Sequence, residues 1–217
     1  KPNDTYKELM EGATVTLTNL YDNSTKEVVT DRSGKVEFSL ERNKQYQIKA
    51  EKDPPSENRQ YLTTSKTVST VGVIPPKTLE EELLLMLTEL DQPIELENIY
   101  YDLDKWFIRN DAKPDLDYLV KVMKDNPNIT IELGSHTDCR ASFEYNIELS
   151  AKRAEAAVRY LIKNGISGKR LLAAGYGETQ LVNDCECENK VGKGRTDACT
   201  DEMHQDNRRT EFKILSR

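Results

Sequence analysis

The 217-residue chain lacks any hydrophobic run that could cross a lipid bilayer. No stretch approaches the roughly 18 consecutive apolar residues that a membrane-spanning helix needs. Apolar residues make up 36% of the chain and charged residues 32%, which is typical of a soluble globular protein. The chain begins KPNDTY, without an initiating Met, a signal peptide or a lipobox. We therefore expect a mature or excised fragment whose targeting signal is not visible.

Basic residues are absent from one short segment. Residues 79–98 carry seven acids and no Lys or Arg, whereas residues 1–78 sum to +1 and residues 99–217 sum to −1. The formal net charge of −7 is therefore concentrated in this segment. Local acidity of this kind argues against nucleic acid and against an anionic membrane surface as partners. A solvated acidic face is the simpler interpretation.

The residues of common catalytic and metal sites are scarce. The chain has only two histidines, and the first of them is His136. There is no C-x-x-C pair, and the alternative zinc ligands (His136, Cys139, the C-x-C pair and His204) match no standard zinc spacing. No Glu/Asp pair stands out as the acid and base of a sugar hydrolase. We therefore predict that the protein is not an enzyme and binds no metal or cofactor, with His136 a structural residue at a strand end.

The first 78 residues alternate in the manner of β-strands. GATVTLTN places Val15 and Leu17 on one face, and Y-x-I-x-A over residues 46–50 alternates in the same way. Between them, KEVVTDRSGKVEFSL predicts two strands joined by a turn at Asp31–Gly34, because Gly34 can adopt a positive φ. No helical period precedes residue 78, so the sequence predicts an all-β domain.

The motifs GATVTL, T-D-x-x-G-K-V-x-F and Y-x-I-x-A, within residues 11–75, resemble those of the carboxypeptidase regulatory-like domain. The resemblance implies a small transthyretin-like β-sandwich over residues 1–78 that acts as a spacer or adhesive surface. Residues 79–97 follow as an acidic linker or as the last strand of the sandwich. LEEELLLMLTEL contains strong helix formers, but prolines bound it on both sides and a short apolar run is ambiguous. We favour the strand.

From residue 98 onward the pattern becomes mixed α/β. Alternation over residues 99–103 and 129–133 predicts two strands, and RLLAAGYG and TEFKIL predict two more. Two apolar stripes at helical spacing predict helices between them: Leu116, Leu119, Val120 and Met123, then Ala154, Ala157, Val158 and Leu161. The predicted order is β-α-β-α-β-β, an α/β sandwich over residues 98–217 with helices on one face and parallel neighbouring strands.

Five motifs occur in order across residues 100–212: YYDLDKW, ELGSHTD, YNIELSAKRA, GYGE and HQDNRRTEF. This series resembles the OmpA-like peptidoglycan-binding domain over about residues 98–215. Together with the β-domain, the HQ-x-NRRTEF ending resembles envelope proteins of the Bacteroidetes type. The resemblance implies noncovalent binding of the peptidoglycan stem peptide, centred on diaminopimelate. It also implies a location in the periplasm, in association with the outer membrane.

The OmpA resemblance implies a set of ligand-binding residues. Asp138 is expected to bind the ammonium of diaminopimelate and Arg153 one of its carboxylates, because a guanidinium fork pairs with carboxylate bidentately. Backbone N–H groups at the start of the second helix would add anion contacts. Asn146 is expected either to contact the ligand or to cap the helix and shape the Asp138 loop. Thr137 and Asp102 are further candidates near the site.

Three positions are expected to support the site. Arg208 and Arg209 match the NRR motif, although each could instead form a surface salt bridge of small energetic value. Tyr145 is expected to line the site or to cover the core. The family commonly has a glycine in the turn after the acid, and here Ala141 replaces it, so a positive φ would cost energy. The loop is therefore expected to differ, with Cys139 as a brace.

All four cysteines lie in the second domain: Cys139, Cys185, Cys187 and Cys199. An even number of cysteines in an envelope protein predicts disulfides. Three connectivities are possible, and we favour Cys139–Cys185 with Cys187–Cys199. That pairing would tie the loop after Asp138 to the insertion at residues 181–202 and would close the insertion on itself.

These observations predict a noncovalent binding module that anchors an outer-membrane or periplasmic protein complex to the cell wall. The alternative is an envelope interaction or adhesion module whose main partner is a protein bound by the β-domain. Pull-down of each domain separately with insoluble peptidoglycan distinguishes the two hypotheses. Binding by residues 79–217 alone supports the anchor.

Overall fold

The computed structural model describes residues 8–96, 105–185 and 199–216. The chain divides into two compact units, residues 1–89 and residues 90–217. Within the described residues, no helix has the length and apolar character needed to span a membrane.

The described part of the first unit consists of strands without helices. They are β1 (Thr14–Asn19), β2 (Thr25–Val29), β3 (Gln45–Glu51), β4 (Arg59–Leu62), β5 (Thr64–Ser69) and β6 (Met86–Glu89). An antiparallel sheet has the order β2-β1-β3-β5, and β4 and β6 form a separate antiparallel pair. Alternating apolar residues of these strands are buried: Val15, Leu17, Tyr46, Ala50, Leu62 and Val68. The likeness to a transthyretin-like sandwich stays a prediction.

One predicted strand of the first unit does not form. The turn after β2 lies where the sequence predicts it, with Gly34 at φ +65° and Gly34 N donating to Asp31 O. Residues 34–40 that follow are not in a strand, although Val36, Phe38 and Leu40 are half-buried between exposed neighbours. The alternation of apolar and polar residues therefore indicates that one side of an extended segment is buried. Such burial does not require a hydrogen-bonded partner strand.

The acidic segment contributes a strand to each unit. β6 pairs with β4, and the Thr88 hydroxyl donates to Gln60 O at 3.3 Å in a buried position. A few residues later, the three-residue strand β7 (Ile94–Leu96) pairs with the last strand of the second unit. The division between the units therefore follows β6.

The described part of the second unit contains three α-helices and the remaining strands. In chain order after β7 they are α1 (Lys113–Asp125), β8 (Thr130–His136), α2 (Phe143–Lys163), β9 (Leu171–Gly177), α3 (Asp201–Asn207) and β10 (Thr210–Ser216). The sheet order is β7-β10-β8-β9. β8 and β9 are parallel, as expected for strands joined through α2, and β10 is antiparallel to both β7 and β8.

The predicted element order of the second unit lacks two of the observed elements, the strand β7 and the helix α3. This seven-residue helix lies between β9 and β10, and the Thr200 side chain caps it by accepting from Met203 N. The helix is too short for an apolar stripe to identify it. The strand predicted at residues 99–103 falls outside the described residues.

The helix α2 lies directly on the sheet. Ser142 caps its start by accepting from Tyr145 N, and Gly165 follows its end at φ +94°, as the Asn-Gly stop signal predicts. A Cβ atom at Gly175 of β9 would lie 2.3 Å from Ala151 N of α2. Glycine at 175 therefore permits the close approach that holds the buried face of α2 near the ends of β8 and β9.

The strand β6 should matter for the stability of the first unit. We expect a fragment of residues 1–89 to unfold at a higher urea concentration than a fragment of residues 1–78, because the shorter one leaves β4 unpaired and exposes Leu62. Circular dichroism during urea titration measures the two midpoints. Equal midpoints would show that β6 adds nothing to that unit.

Candidate ligand-binding site

A buried carboxylate occupies the loop between β8 and α2. Asp138 is 7% exposed. Its Oδ2 accepts hydrogen bonds from Arg208 Nη1 at 2.6 Å and from Arg140 Nη2 at 2.7 Å and Nε at 3.1 Å, and its Oδ1 accepts from Arg140 N at 3.1 Å. One carboxylate is therefore shared by two guanidinium groups, which leaves an excess of positive charge around it.

The pKa of Asp138 reflects two opposing effects. Burial of the carboxyl group by itself raises its pKa, but the hydrogen bonds from Arg140 and Arg208 outweigh burial and lower the pKa to about 2. The carboxylate is therefore ionised throughout the neutral range.

Asn146 braces the loop that carries Asp138. Its side chain is 2% exposed, and Nδ2 donates to Asp138 O at 3.1 Å and also hydrogen-bonds Glu178 Oε2. The idea that Asn146 caps α2 is wrong, because Ser142 is the N-cap and Asn146 lies in the second turn. Its hydrogen bond to Asp138 O agrees with a role in shaping the Asp138 loop, and contact of Asn146 with a ligand stays a prediction.

Arg153 lies on the same buried face of α2 as Asn146. Seven residues separate them, which is close to two helical turns and about 10.5 Å along the axis. Arg153 is 4% exposed, and its Nε donates to Lys105 O at 3.1 Å. This hydrogen bond fixes one side of the guanidinium to the backbone of Lys105, near the end of the YYDLDKW motif.

The other predicted site residues have separate environments. Thr137 is buried, its N–H donates to Gly177 O, and its hydroxyl has no hydrogen-bond partner. Tyr145 is 41% exposed and lines a shallow pocket. Arg209 donates to Glu211 and to Gln180 O, so it braces β10 and the loop after β9. Asp102 lies outside the described residues.

Two residues at the site were not predicted from the sequence. Arg140 follows Asp138 by two positions and chelates its carboxylate. Glu178 is the acid of the GYGE motif, and its contact with Asn146 places a second carboxylate near the loop.

Ala141 does not adopt a positive φ, since the positive-φ residues other than glycine in the described chain are Asn23, Asn43 and Asp91. The loop therefore avoids the strain that a glycine would relieve.

The favoured disulfide pairing is wrong. Cys185 is bonded to Cys199, with 5.3 Å between their Cα atoms. Cys139 is also disulfide-bonded, so it does brace the loop after Asp138. Cys187 lies outside the described residues. Cys199 lies two residues before the start of α3, the helix that the sequence analysis did not predict.

His136 is buried at the end of β8. Its ring stacks on Tyr176 with 5.1 Å between centroids, and its Nε2 lies 3.4 Å from Glu211 Oε1. This contact is long for a hydrogen bond and leaves both ring nitrogens without a well-formed partner. His136 therefore has a packing role on the sheet.

Residues 100–195 match the model of the OmpA family. Ninety residues of the chain are 36% identical to the peptidoglycan-associated lipoprotein of Rhizobium meliloti, which covers 42% of this chain and 51% of that protein. Over 87 residues the chain is 33% identical to outer membrane porin F of Pseudomonas fluorescens, covering 40% of this chain and 27% of the porin. The second unit therefore contains an OmpA-like domain, while the chain spans about half or less of these relatives' length.

A solved structure is also similar. The peptidoglycan-associated lipoprotein of Burkholderia pseudomallei is 25% identical with a TM-score of 0.44, over 54% of this chain and 87% of that one. A likeness at this level carries no functional argument. These relatives come from Rhizobium, Pseudomonas and Burkholderia, and a Bacteroidetes-type source stays a prediction.

The lowered pKa of Asp138 predicts a pH dependence of stability. Because the folded-state pKa lies below the ordinary value of 3.8, the unfolded chain binds a proton more readily. The resulting stabilisation is present above pH 3.8 and is lost as the pH falls toward 2. We expect the wild type to lose up to about 2 kcal/mol more than Asp138→Asn in this interval. Urea unfolding of both proteins at several pH values measures the difference, and parallel curves would contradict it.

The disulfide assignment predicts a peptide map. Protein made in an oxidising compartment should contain no alkylatable thiol without reduction. Cleavage after Glu186 separates Cys185 from Cys187, so non-reducing mass spectrometry should recover Cys185 linked to Cys199. Recovery of Cys185 linked to Cys139 would restore the pairing favoured from the sequence.

Proposed function

We propose that the second unit binds peptidoglycan noncovalently through diaminopimelate in the stem peptide, and so anchors an envelope protein or complex to the cell wall. The observation that carries the proposal is the buried, ionised Asp138 on the loop before α2, with Arg153 buried farther along that helix. The similarity of this region to a peptidoglycan-associated lipoprotein supports the same ligand class.

The charges of the site suit a ligand that carries both signs. Diaminopimelate presents an ammonium group and carboxylates. Asp138 is hydrogen-bonded by two guanidinium groups, those of Arg140 and Arg208, and Arg153 adds a third guanidinium on the buried face of α2. Arginine binds carboxylate more specifically than lysine because its fork is planar and rigid. In this proposal Arg153 binds a ligand carboxylate and Asp138 the ammonium.

Arg140 occupies part of the proposed ammonium position. Its side chain is 38% exposed, compared with 26% for Arg208, so moving it into solvent costs less burial. A ligand ammonium can replace the Arg140 guanidinium on Asp138 while Arg208 stays in place. In the absence of ligand, Arg140 therefore gives the buried carboxylate a second charged partner besides Arg208, which offsets more of the cost of burying the charge.

The first unit is proposed to be a regulatory-like β-domain that acts as a spacer or a docking surface. Placement in the periplasm beside the outer membrane is consistent with the porin similarity. The second candidate function is an interaction or adhesion module whose main partner binds the β-domain. One observation favours this second candidate: β2 is an edge strand of the sheet β2-β1-β3-β5, and all of its residues are exposed. An exposed edge strand can pair with a strand of another protein. We propose a binding module in either case, and no catalysis.

Substitutions in the proposed site should weaken binding of a diaminopimelate-containing stem peptide. We expect Asp138→Ala and Arg153→Ala each to lower affinity about ten- to a hundredfold, since a charge-assisted hydrogen bond contributes roughly 1.5–3 kcal/mol. Arg153→Lys should recover only part of the loss, because lysine lacks the bidentate fork. Arg140→Ala should stay within a few-fold of the wild type. Isothermal titration calorimetry with a purified stem peptide measures all four.

Arg159→Ala is the matched control for Arg153→Ala. Arg159 lies on the same helix, but it is exposed and pairs with Glu155. Its removal should leave affinity unchanged. Circular dichroism separates loss of binding from loss of fold. A folded Asp138→Ala or Arg153→Ala variant with wild-type affinity would overturn the proposed clamp. Peptidoglycan pull-down with residues 1–89 and with residues 90–217 separates the anchor from the adhesion alternative.

A further inference from the structure

A second cluster of reactive side chains lies beside the Asp138 loop. The sulfurs of Cys139 and Cys185 and a ring nitrogen of His204 lie within 4.8 Å of one another. Each of the three residues is at most 3% exposed. The sulfur of Cys199 is next to this group, because it is bonded to the sulfur of Cys185. Binding of a stem peptide does not account for the burial of His204 against these sulfurs.

We propose that this cluster is a redox-controlled zinc site. When the disulfides are reduced, Cys139, Cys185, Cys199 and His204 supply three thiolates and one imidazole to a single Zn²⁺. Three cysteines and one histidine form a common ligand set of closed, four-coordinate zinc sites. The zinc ligands considered from sequence spacing included His136, but that side chain packs on Tyr176 and is not in the cluster.

The spacing of the cluster suits a tetrahedral ion. Zinc–sulfur bonds of about 2.3 Å and zinc–nitrogen bonds of about 2.0–2.1 Å place a sulfur and a nitrogen ligand about 3.5 Å apart. The Cys185 Sγ lies 3.5 Å from His204 Nδ1. The Cys139 sulfur lies 3.4 Å from the Cys185 carbonyl oxygen, which keeps it in the same small volume.

Hydrogen bonds that do not involve sulfur hold Cys185 and His204 together. Asn183 Nδ2 donates to Met203 O in α3, and Asn183 Oδ1 accepts from Cys185 N. The fully buried Asn207 accepts from Val182 N and donates to Asn183 Oδ1. The loop around Cys185 is thus fastened to α3 without the disulfide, and reduction should leave the ligands close together.

Zinc and the disulfides exclude each other, because zinc requires thiolates. A dithiol reductant transfers two electrons to the Cys185–Cys199 bond and becomes a disulfide itself, while its two protons convert the cysteine sulfurs to thiols. The disulfide of Cys139 opens in the same way. The thiols release their protons when the metal binds. Since Cys139 directly follows Asp138, either state restrains the loop of the proposed ligand site.

The test is a metal titration of the full chain in two redox states. Protein reduced with a phosphine under argon is titrated with Co²⁺, and the thiolate-to-cobalt charge-transfer absorption is recorded. Zn²⁺ is then added to displace the cobalt. We expect one equivalent of metal per reduced chain and none per oxidised chain. Equal uptake in the two states, or no uptake by the reduced chain, would overturn the proposal.

Variants identify the ligands. His204→Gln and Cys139→Ser should each lower cobalt affinity at least about tenfold and weaken or shift the absorption. Glu202→Gln is the control, because it changes an exposed side chain of α3 that lies outside the cluster. Circular dichroism of the metal-free reduced proteins establishes that each variant is folded. Wild-type stoichiometry and spectrum in both folded ligand variants would also overturn the site.

Discussion

The pairing of the Asp138 carboxylate with Arg208 is the interaction on which the candidate site depends. The two residues are 70 positions apart in the sequence, and Arg208 Nη1 lies 2.6 Å from Asp138 Oδ2. A buried carboxylate is tolerated only when it is partnered, because its desolvation would otherwise cost several kcal/mol. The ion pair therefore fixes the residue that ends α3 against the loop that begins α2, and neighbouring side chains are arranged around that junction.

The same junction brings the candidate site and the cysteine cluster together. Cys139 follows Asp138 in the loop, while Cys199 and His204 belong to the region of α3, whose last turn leads to Arg208. The cysteine cluster and the carboxylate are therefore adjacent in the chain. The segment between β9 and β10 therefore contributes to the surroundings of Asp138, because Arg208 near its end pairs with the carboxylate.

Several features were predictable because they depend on local chemistry. The apolar stripe and the Asn-Gly stop predict α2, and the crossover through α2 predicts the parallel pairing of β8 and β9. The family motifs also identify Asp138, Asn146 and Arg208, which the structure brings into contact. The expected strand at residues 34–40 was wrong because alternation indicates a buried side and does not identify a hydrogen-bonding partner. α3 was missed because a seven-residue helix with a single apolar residue, Met203, has no periodic signal, although a Thr cap followed by two acids marks its start.

The sequence by itself determined that the second unit is a mixed α/β domain and which residue types form its candidate site. It also determined that the first unit has the alternating spacing of strands, whereas the second has helical spacing as well. Those properties follow from side-chain chemistry and from periods of two and 3.6 residues, which are local. Only the tertiary structure decided that Arg140 and Arg208 share one carboxylate, that Asn146 braces a loop and does not cap a helix, and that Cys185 pairs with Cys199. Each of these depends on which distant segments come within bonding distance, and close packing of α2 against Gly175 and the seating of α3 set those distances.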